Sequence, residues 1–175
     1  IAFAGTVIGT VFSIPLSFVN TRRFVPGSVA FIFNLLIIAI RSIPFLIYGL
    51  IFIRVSGPGP FTGVLTLSMC SIGLLTKRFT EALDAIDLKA YRALLAMGAH
   101  PVPAICHGIL PQLKPIFISI FLYRFDVNIR EASVLGLVGA GGIGAPLIFS
   151  MNQYAWEKAG AILLGLILLV WLIDM

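Results

Sequence analysis

Apolar residues gather into five long segments along the chain, at residues 1–18, about 28–55, about 61–75, about 116–138 and about 159–171, with short polar breaks between them. Each is long enough for a helix, and none carries the short alternating pattern of a half-buried strand. The predicted architecture is therefore all-α. The first segment places Gly5, Gly9, Ser13 and Ser17 at every fourth position, a spacing that lets two helices approach closely in lipid. The second contains Arg41 and, three residues on, Pro44. Proline lacks the N–H that a helix interior needs, so a kink or break is expected there.

Composition turns these helices into membrane helices. Hydrophobic residues make up 59% of the 175, and charged residues only 11%, against about a quarter charged in soluble domains. A membrane crossing needs roughly 20 apolar residues. The chain starts at Ile1 and stops at Met175, both inside apolar runs. It reads as one transmembrane domain over residues 1–175, a fragment truncated at both ends, without a recognisable signal peptide. Cys70 and Cys106 lie in unlike surroundings and read as free thiols, while His100 and His107 lack the further ligands a zinc site needs. No metal site is expected.

Loop charge gives an orientation. Arg22, Arg23, Lys77, Arg78, Lys89, Arg92 and Lys114 fall on one side of the five segments, against Arg54 and Lys158 on the other. Basic loops stay inside. That makes the 76–115 stretch cytoplasmic, with the visible N-terminus facing out and the visible C-terminus facing in.

Gly139, Gly141 and Gly144 complete a G-x-G-x-x-G pattern. A dinucleotide turn needs a strand before it and a second strand after its helix. Here Pro146 follows closely and Glu157 precedes an apolar helix, so nucleotide binding is not expected. The glycines instead end the fourth segment and turn the chain.

That fourth segment carries Arg124, Asp126, Arg130 and Glu131, although each charge at mid-membrane costs about 2.5–3.5 kcal/mol on insertion scales. At about 100° per residue, Arg124, Asn128 and Glu131 share an arc of roughly 60°, with Asp126 and Arg130 nearly opposite. Asp126 and Arg130 are four apart and read as a structural ion pair. Arg124, Asn128 and Glu131 are candidates for the wall of a polar path, or for a lock between helices. Polar groups on two faces predict a helix enclosed by protein on most sides. Arg41, beside the kink, is a further path candidate that would suit a gate; pairing with Asp126 or Glu131 is the alternative.

Residues 76–115 mix periodic apolar positions with charges. Ala93, Leu94 and Met97, followed by Gly98, read as a short helix with a glycine stop, before Pro101 and Pro103. Such a helix on the cytoplasmic face suits docking onto a partner. Tyr91, Arg92, Ala93, Leu94, Met97, Gly98, Ala99 and His100 are the candidate coupling residues.

At this stretch the chain resembles the permeases of ATP-binding cassette (ABC) importers, which carry Glu-Ala-Ala-x-x-x-Gly and, beginning twelve residues past the glycine, Leu-Pro. Ala93, Gly98, Leu110 and Pro111 match, whereas Arg92 stands in the Glu slot, Leu94 in the second Ala slot and Gly108 in the usual Ile slot. SGPGPFTGVL, GILPQLKP and LYRFDVNIREASVLGLVGAGGIG are similar to the phosphonate-transport branch. Arg41-x-x-Pro44 also resembles amino-acid permeases. The resemblance implies a type I ABC importer permease fold with about five membrane helices and a cytoplasmic coupling helix at about 88–98. It implies a homodimer in a bacterial inner membrane, crossing it several times, with ATPase subunits below and an extracytoplasmic binding protein above. Phosphonates or related phosphorus oxyanions would be the cargo. ATP and Mg would be held by the ATPase partner, with no cofactor in this chain, no enzymatic activity of its own and no nucleic-acid partner. In line with that, no G-x-x-x-x-G-K-[ST] occurs. A permease for an amino acid, or an ion-driven transporter, is the alternative, and a copurifying ATPase separates the latter. Gly98→Asp is expected to uncouple transport from hydrolysis, and Arg124→Ala to impair transport more than assembly.

Overall fold

The computed structural model describes residues 1–21, 23, 25–142 and 144–174, the last two of these by backbone alone. Arg22, which contributed to the charge asymmetry, Ile143 of the glycine run and the terminal Met175 lie outside the described residues. The helices are α1 (Ala2–Asn20), α2 (Gly27–Ser42), α3 (Phe45–Ser56), α4 (Pro60–Ala85), α5 (Lys89–Ala96), α6 (Pro101–Gly108), α7 (Leu110–Leu137), α8 (Gly144–Asn152) and α9 (Trp156–Asp174). Among the described residues there is no strand, so the glycine run has no Rossmann context.

The bundle is built on α1 against α4, its most extensive helix contact, with α7 laid across both. The four small residues of α1 make that contact possible, and all four are buried. A Cβ at Gly9 would stand 2.4 Å from Ser71 Cβ, and one at Gly5 would stand 2.7 Å from Leu67 Cβ. The Ser13 hydroxyl donates to Gly9 O at 2.6 Å and reaches Ile72 O of α4 at 3.2 Å. Helices α2 and α3 cover another side of α4, while α8 and α9 run beside α7.

The second apolar segment breaks where proline predicts. Ile43 and Pro44 are extended, and α2 and α3 meet at 84°. The Tyr48 hydroxyl donates to Ile40 O at 2.9 Å, using one of the carbonyls that the end of α2 leaves without a helical partner. The third segment does not stop near Leu75. It continues to Ala85, so residues 76–85 are the last turns of a 26-residue helix. Thr76, Phe79, Thr80 and Leu83 are buried there. Helix α8 was not foreseen, because glycine and proline crowd its start.

Helix α1 is long and apolar enough to span a membrane by itself. The bent pairs α2–α3 and α6–α7 also pass that test when each is taken together. At the end of α7, Ala140 N–H reaches Leu135 O at 3.1 Å and Gly139 N–H reaches Gly136 O at 3.2 Å. These two bonds make a Schellman stop. Gly139, Gly141 and Gly142 all have positive φ, conformations that side-chain-bearing residues rarely adopt. A Cβ at Gly141 would meet Pro60 at 2.9 Å, so the run also packs against the start of α4.

Candidate functional site

Two places hold the predicted site residues, and they differ in kind. The first is inside the bundle. Arg124 is 3% exposed and Asn128 fully buried, both on the stripe of α7 that faces α1 and α4. Arg124 Nε donates to Ser71 Oγ of α4 at 3.1 Å, and its NH2 donates to Glu131 Oε2 at 2.9 Å. Asn128 Nδ2 donates to Thr6 Oγ1 of α1 at 2.7 Å and to Ser71 Oγ at 2.9 Å. Ser71 thus ties the arginine and the amide together, and three helices meet at one polar knot. Asn128 Oδ1 has no partner among the described residues. The knot reaches the surface at one edge, where Leu74, Arg78, Ile120, Tyr123, Arg124 and Glu131 help line a pocket of about 210 Å³ between α4 and α7.

On the other face of α7, Asp126 and Arg130 form an ion pair, with the arginine half exposed. Leu122 and Tyr123 beside them are bare in the single chain. The chain therefore encloses α7 along one stripe, less than the two-faced polarity predicts. Arg41 does not join either group. It is exposed at the end of α2, its backbone packed over Gly73 of α4, and both carboxylates offered to it by the sequence are taken by Arg124 and Arg130.

The second place is α5. It begins after Asp87, whose carboxylate accepts Lys89 N–H at 2.8 Å. It ends in a Schellman stop, with Ala99 N–H on Leu94 O and Gly98 N–H on Leu95 O, each at 3.0 Å. Gly98 has φ +83°, and nothing stands near the place of a Cβ. Backbone conformation, not crowding, is what asks for glycine. No residue of α5 is buried. Tyr91 turns inward, against Gly108 of α6 and the cluster of Leu83, Ile86, Ile109 and Leu113. Arg92, Ala93, Met97, Gly98 and His100 face outward, and Leu94 and Ala99 are half buried. Met97 is 75% exposed. The result is a short helix fastened on one side and bare on the other. The sequence reading missed the residues that complete the knot, Thr6 and Ser71, and the contact between Gly108 and Tyr91.

Comparison with known proteins decides the family. Residues 4–175 match the binding-protein-dependent transport system inner membrane component family. The chain belongs to that family. This inner membrane component is 39% identical to the phosphite transport system permease protein PtxC of Stutzerimonas stutzeri, over 99% of this chain and 63% of that protein. It is 32% identical to the phosphate-import permease protein PhnE of Mycolicibacterium smegmatis, over 97% of this chain and 32% of that one. A putative cryptic phosphonate transport system permease protein of Escherichia coli, PhnE2, is 38% identical over 63% of this chain and 91% of its own length. The chain thus spans less than two thirds of the first two of these relatives. In fold it matches an inward-facing crystal structure of the MetNI methionine ABC transporter, with a TM-score of 0.83 at 23% identity, over 99% of this chain and 86% of that one. The type I importer permease fold follows, and with it a membrane-embedded chain.

Proposed function

We propose that this chain is the permease subunit of an ABC importer, crosses a bacterial inner membrane several times, and forms with a second copy the path for phosphonates or related phosphorus oxyanions such as phosphite. The observation that carries this is the bare outer face of α5, on a chain 39% identical to a phosphite permease. A helix fastened through Tyr91 on one side, bare on the other and stopped as precise structure, is built for contact with another molecule. The ATPase subunits, with their ATP and Mg, would take that face through Arg92, Ala93, Leu94, Met97, Gly98, Ala99 and His100, while Tyr91 holds the helix to the bundle. An extracytoplasmic binding protein would deliver the cargo. Arg124, Asn128 and Glu131 hold α1, α4 and α7 together behind the wall of the path, with Arg124 and Glu131 reaching its surface at the α4–α7 pocket. Arg41 borders the path at the α2–α3 break. Nucleotide-driven closing of the ATPases would move the two α5 helices and switch the path between its two open ends.

Reconstitution tests the reading. The transporter in liposomes with its ATPase subunits and binding protein should accumulate phosphite or a small phosphonate only when ATP is supplied. Uptake driven by an ion gradient without ATPase subunits would overturn it.

A further inference from the structure

The linker between α4 and α5 is only Ile86, Asp87 and Leu88. A surface connection ordinarily leaves its backbone to water and is mobile. Here each of its carbonyls is taken within the chain. Ile86 O accepts Arg23 NH1 at 3.1 Å, and Asp87 O accepts Gln112 Nε2 at 3.2 Å. Leu88 O accepts Arg92 N–H at 2.9 Å, the first bond of α5. The Ile86 side chain is buried with Leu83, Ile109 and Leu113. Arg23 holds a second point, because its NH2 donates to Asp84 O. That carbonyl is among the last four of α4, which have no partner within the helix. The planar guanidinium is a fork that spans both carbonyls, which a point-like ammonium is not. Arg23 is itself tied to α1. Its backbone N–H donates to Thr21 Oγ1 at 3.3 Å, and the Thr21 hydroxyl donates to Asp84 Oδ1 at 2.6 Å. One turn back along α4, Thr80 Oγ1 accepts Asn20 Nδ2 at 3.2 Å. On the other side Gln112 stands in the first turn of α7, and its Nε2 also donates to Gly108 O at 2.8 Å.

We propose that Arg23 and Gln112 are the two jaws of a clamp on this linker, and that a displacement of α5 reaches the bundle through it, by Arg23 to α1 and by Gln112 to α7. This role rests on the ATPase-driven transport proposed above and adds two positioning residues to it. A push on the outer face of α5 is either absorbed by bending at the linker or passed on. With Ile86 O and Asp87 O held from opposite sides, bending must break a hydrogen bond, so the linker acts as a stiff joint. Helices α1 and α7 are the ones that bring Thr6 and Asn128 into the knot. The clamp therefore connects the docking face with the polar centre of the bundle. Hydrogen bonds from a charged donor are roughly twice as strong as neutral ones, which makes Arg23 the stronger jaw.

The whole transporter in liposomes, with its ATPase subunits and binding protein, tests this through one ratio: phosphite accumulated per ATP hydrolysed. A residue that only holds the fold changes the amount of active transporter, so uptake and hydrolysis fall together and the ratio stays put. Arg23→Gln should lower the ratio by about tenfold and Gln112→Leu by about threefold, the worth of a charged and a neutral hydrogen bond, each with hydrolysis sustained. Arg23→Lys keeps the charge and can reach one carbonyl, and should fall between Arg23→Gln and the parent. If Arg23→Gln fails to assemble, Gln112→Leu decides from the other jaw. A parental ratio in either variant, whether or not total uptake drops, would overturn the clamp. The parent separates this from the broader reading. ATP-driven phosphite uptake by the parent with an unmoved ratio in the variants sinks the clamp alone, whereas no such uptake by the parent sinks the proposed function.

Discussion

The α7 knot and the α5 finger carry similar residue types to opposite ends. Arg124 is surrounded by protein and satisfied by Ser71 and Glu131. Arg92 stands on the exposed face of a helix with no fully buried residue. The first arginine is held in one geometry by partners on α4 and on its own helix, so its loss is felt by the fold. The second has no side-chain hydrogen bond or ion pair among the described residues, so under the proposed function its loss would be felt by the ATPase that docks there. A charged residue in an apolar chain is thus not a function by itself. Burial and partners decide whether it belongs to assembly or to contact.

That contrast can be broken or sharpened by substitution. The largest effect is expected from Arg124→Ala, which strands Glu131 and leaves Ser71 short of a donor. Removing one partner of a buried pair costs about 3–5 kcal/mol, so the purified variant should show a sharply lower Tm in detergent and a poor yield. The geometry thus shifts the expected lesion from transport towards assembly. Arg124→Met combined with Glu131→Gln should recover part of the loss. A parental Tm in the single variant would show that the knot does not hold the bundle.

Gly9→Val comes next. Its side chain must displace Ser71, and overpacking of this kind costs about 1–3 kcal/mol. Thermal unfolding should record the drop, and a parental Tm would show that α1 and α4 are not in close contact there. Gly98→Asp should cost only about 1 kcal/mol, the price of a side chain at positive φ, with insertion and yield near parental. Under the proposed function it should nevertheless stop ATP-driven uptake while the ATPase still turns over, and normal uptake would refute the role of α5. Smallest of all is Arg78→Gln. Its 3.5 Å contact with Glu81 is exposed, and such pairs contribute about 0–1 kcal/mol. A large fall in Tm there would erase the distinction between buried and exposed arginines.

Much of this arrangement was legible from residue spacing. Arg124 and Glu131 are seven apart, two helical turns, so they had to share a face. Asp126 and Arg130 were four apart and meet as a pair. Pro44 announced the break, and Gly98 the end of α5. What spacing could not reveal were partners remote in sequence. Ser71 is 53 residues from Arg124 and Thr6 is 122 from Asn128, and nothing local marks either. The length of α4 was hidden by its own polar turns. Lys77, Arg78 and Glu81 look like loop residues, but Thr80 returns its hydroxyl to Thr76 O and stays inside the helix. The 144–152 helix was masked by Gly144 and Pro146, residues that usually end helices, here placed in the first turn where proline is tolerated.

The elbow at Ile43 and Pro44 has a reach problem. At 1.5 Å per residue, α2 extends about 24 Å and α3 about 18 Å, each short of a hydrocarbon layer about 30 Å thick. Set at 84°, they cannot add their lengths. Under the proposed function the unwound residues between them would lie partway through the bilayer, where bare peptide groups survive only against protein or water. Ile43 and Arg41 are exposed in the single chain, so under the proposed function this notch would open onto a wet vestibule or lie under a second copy of the chain.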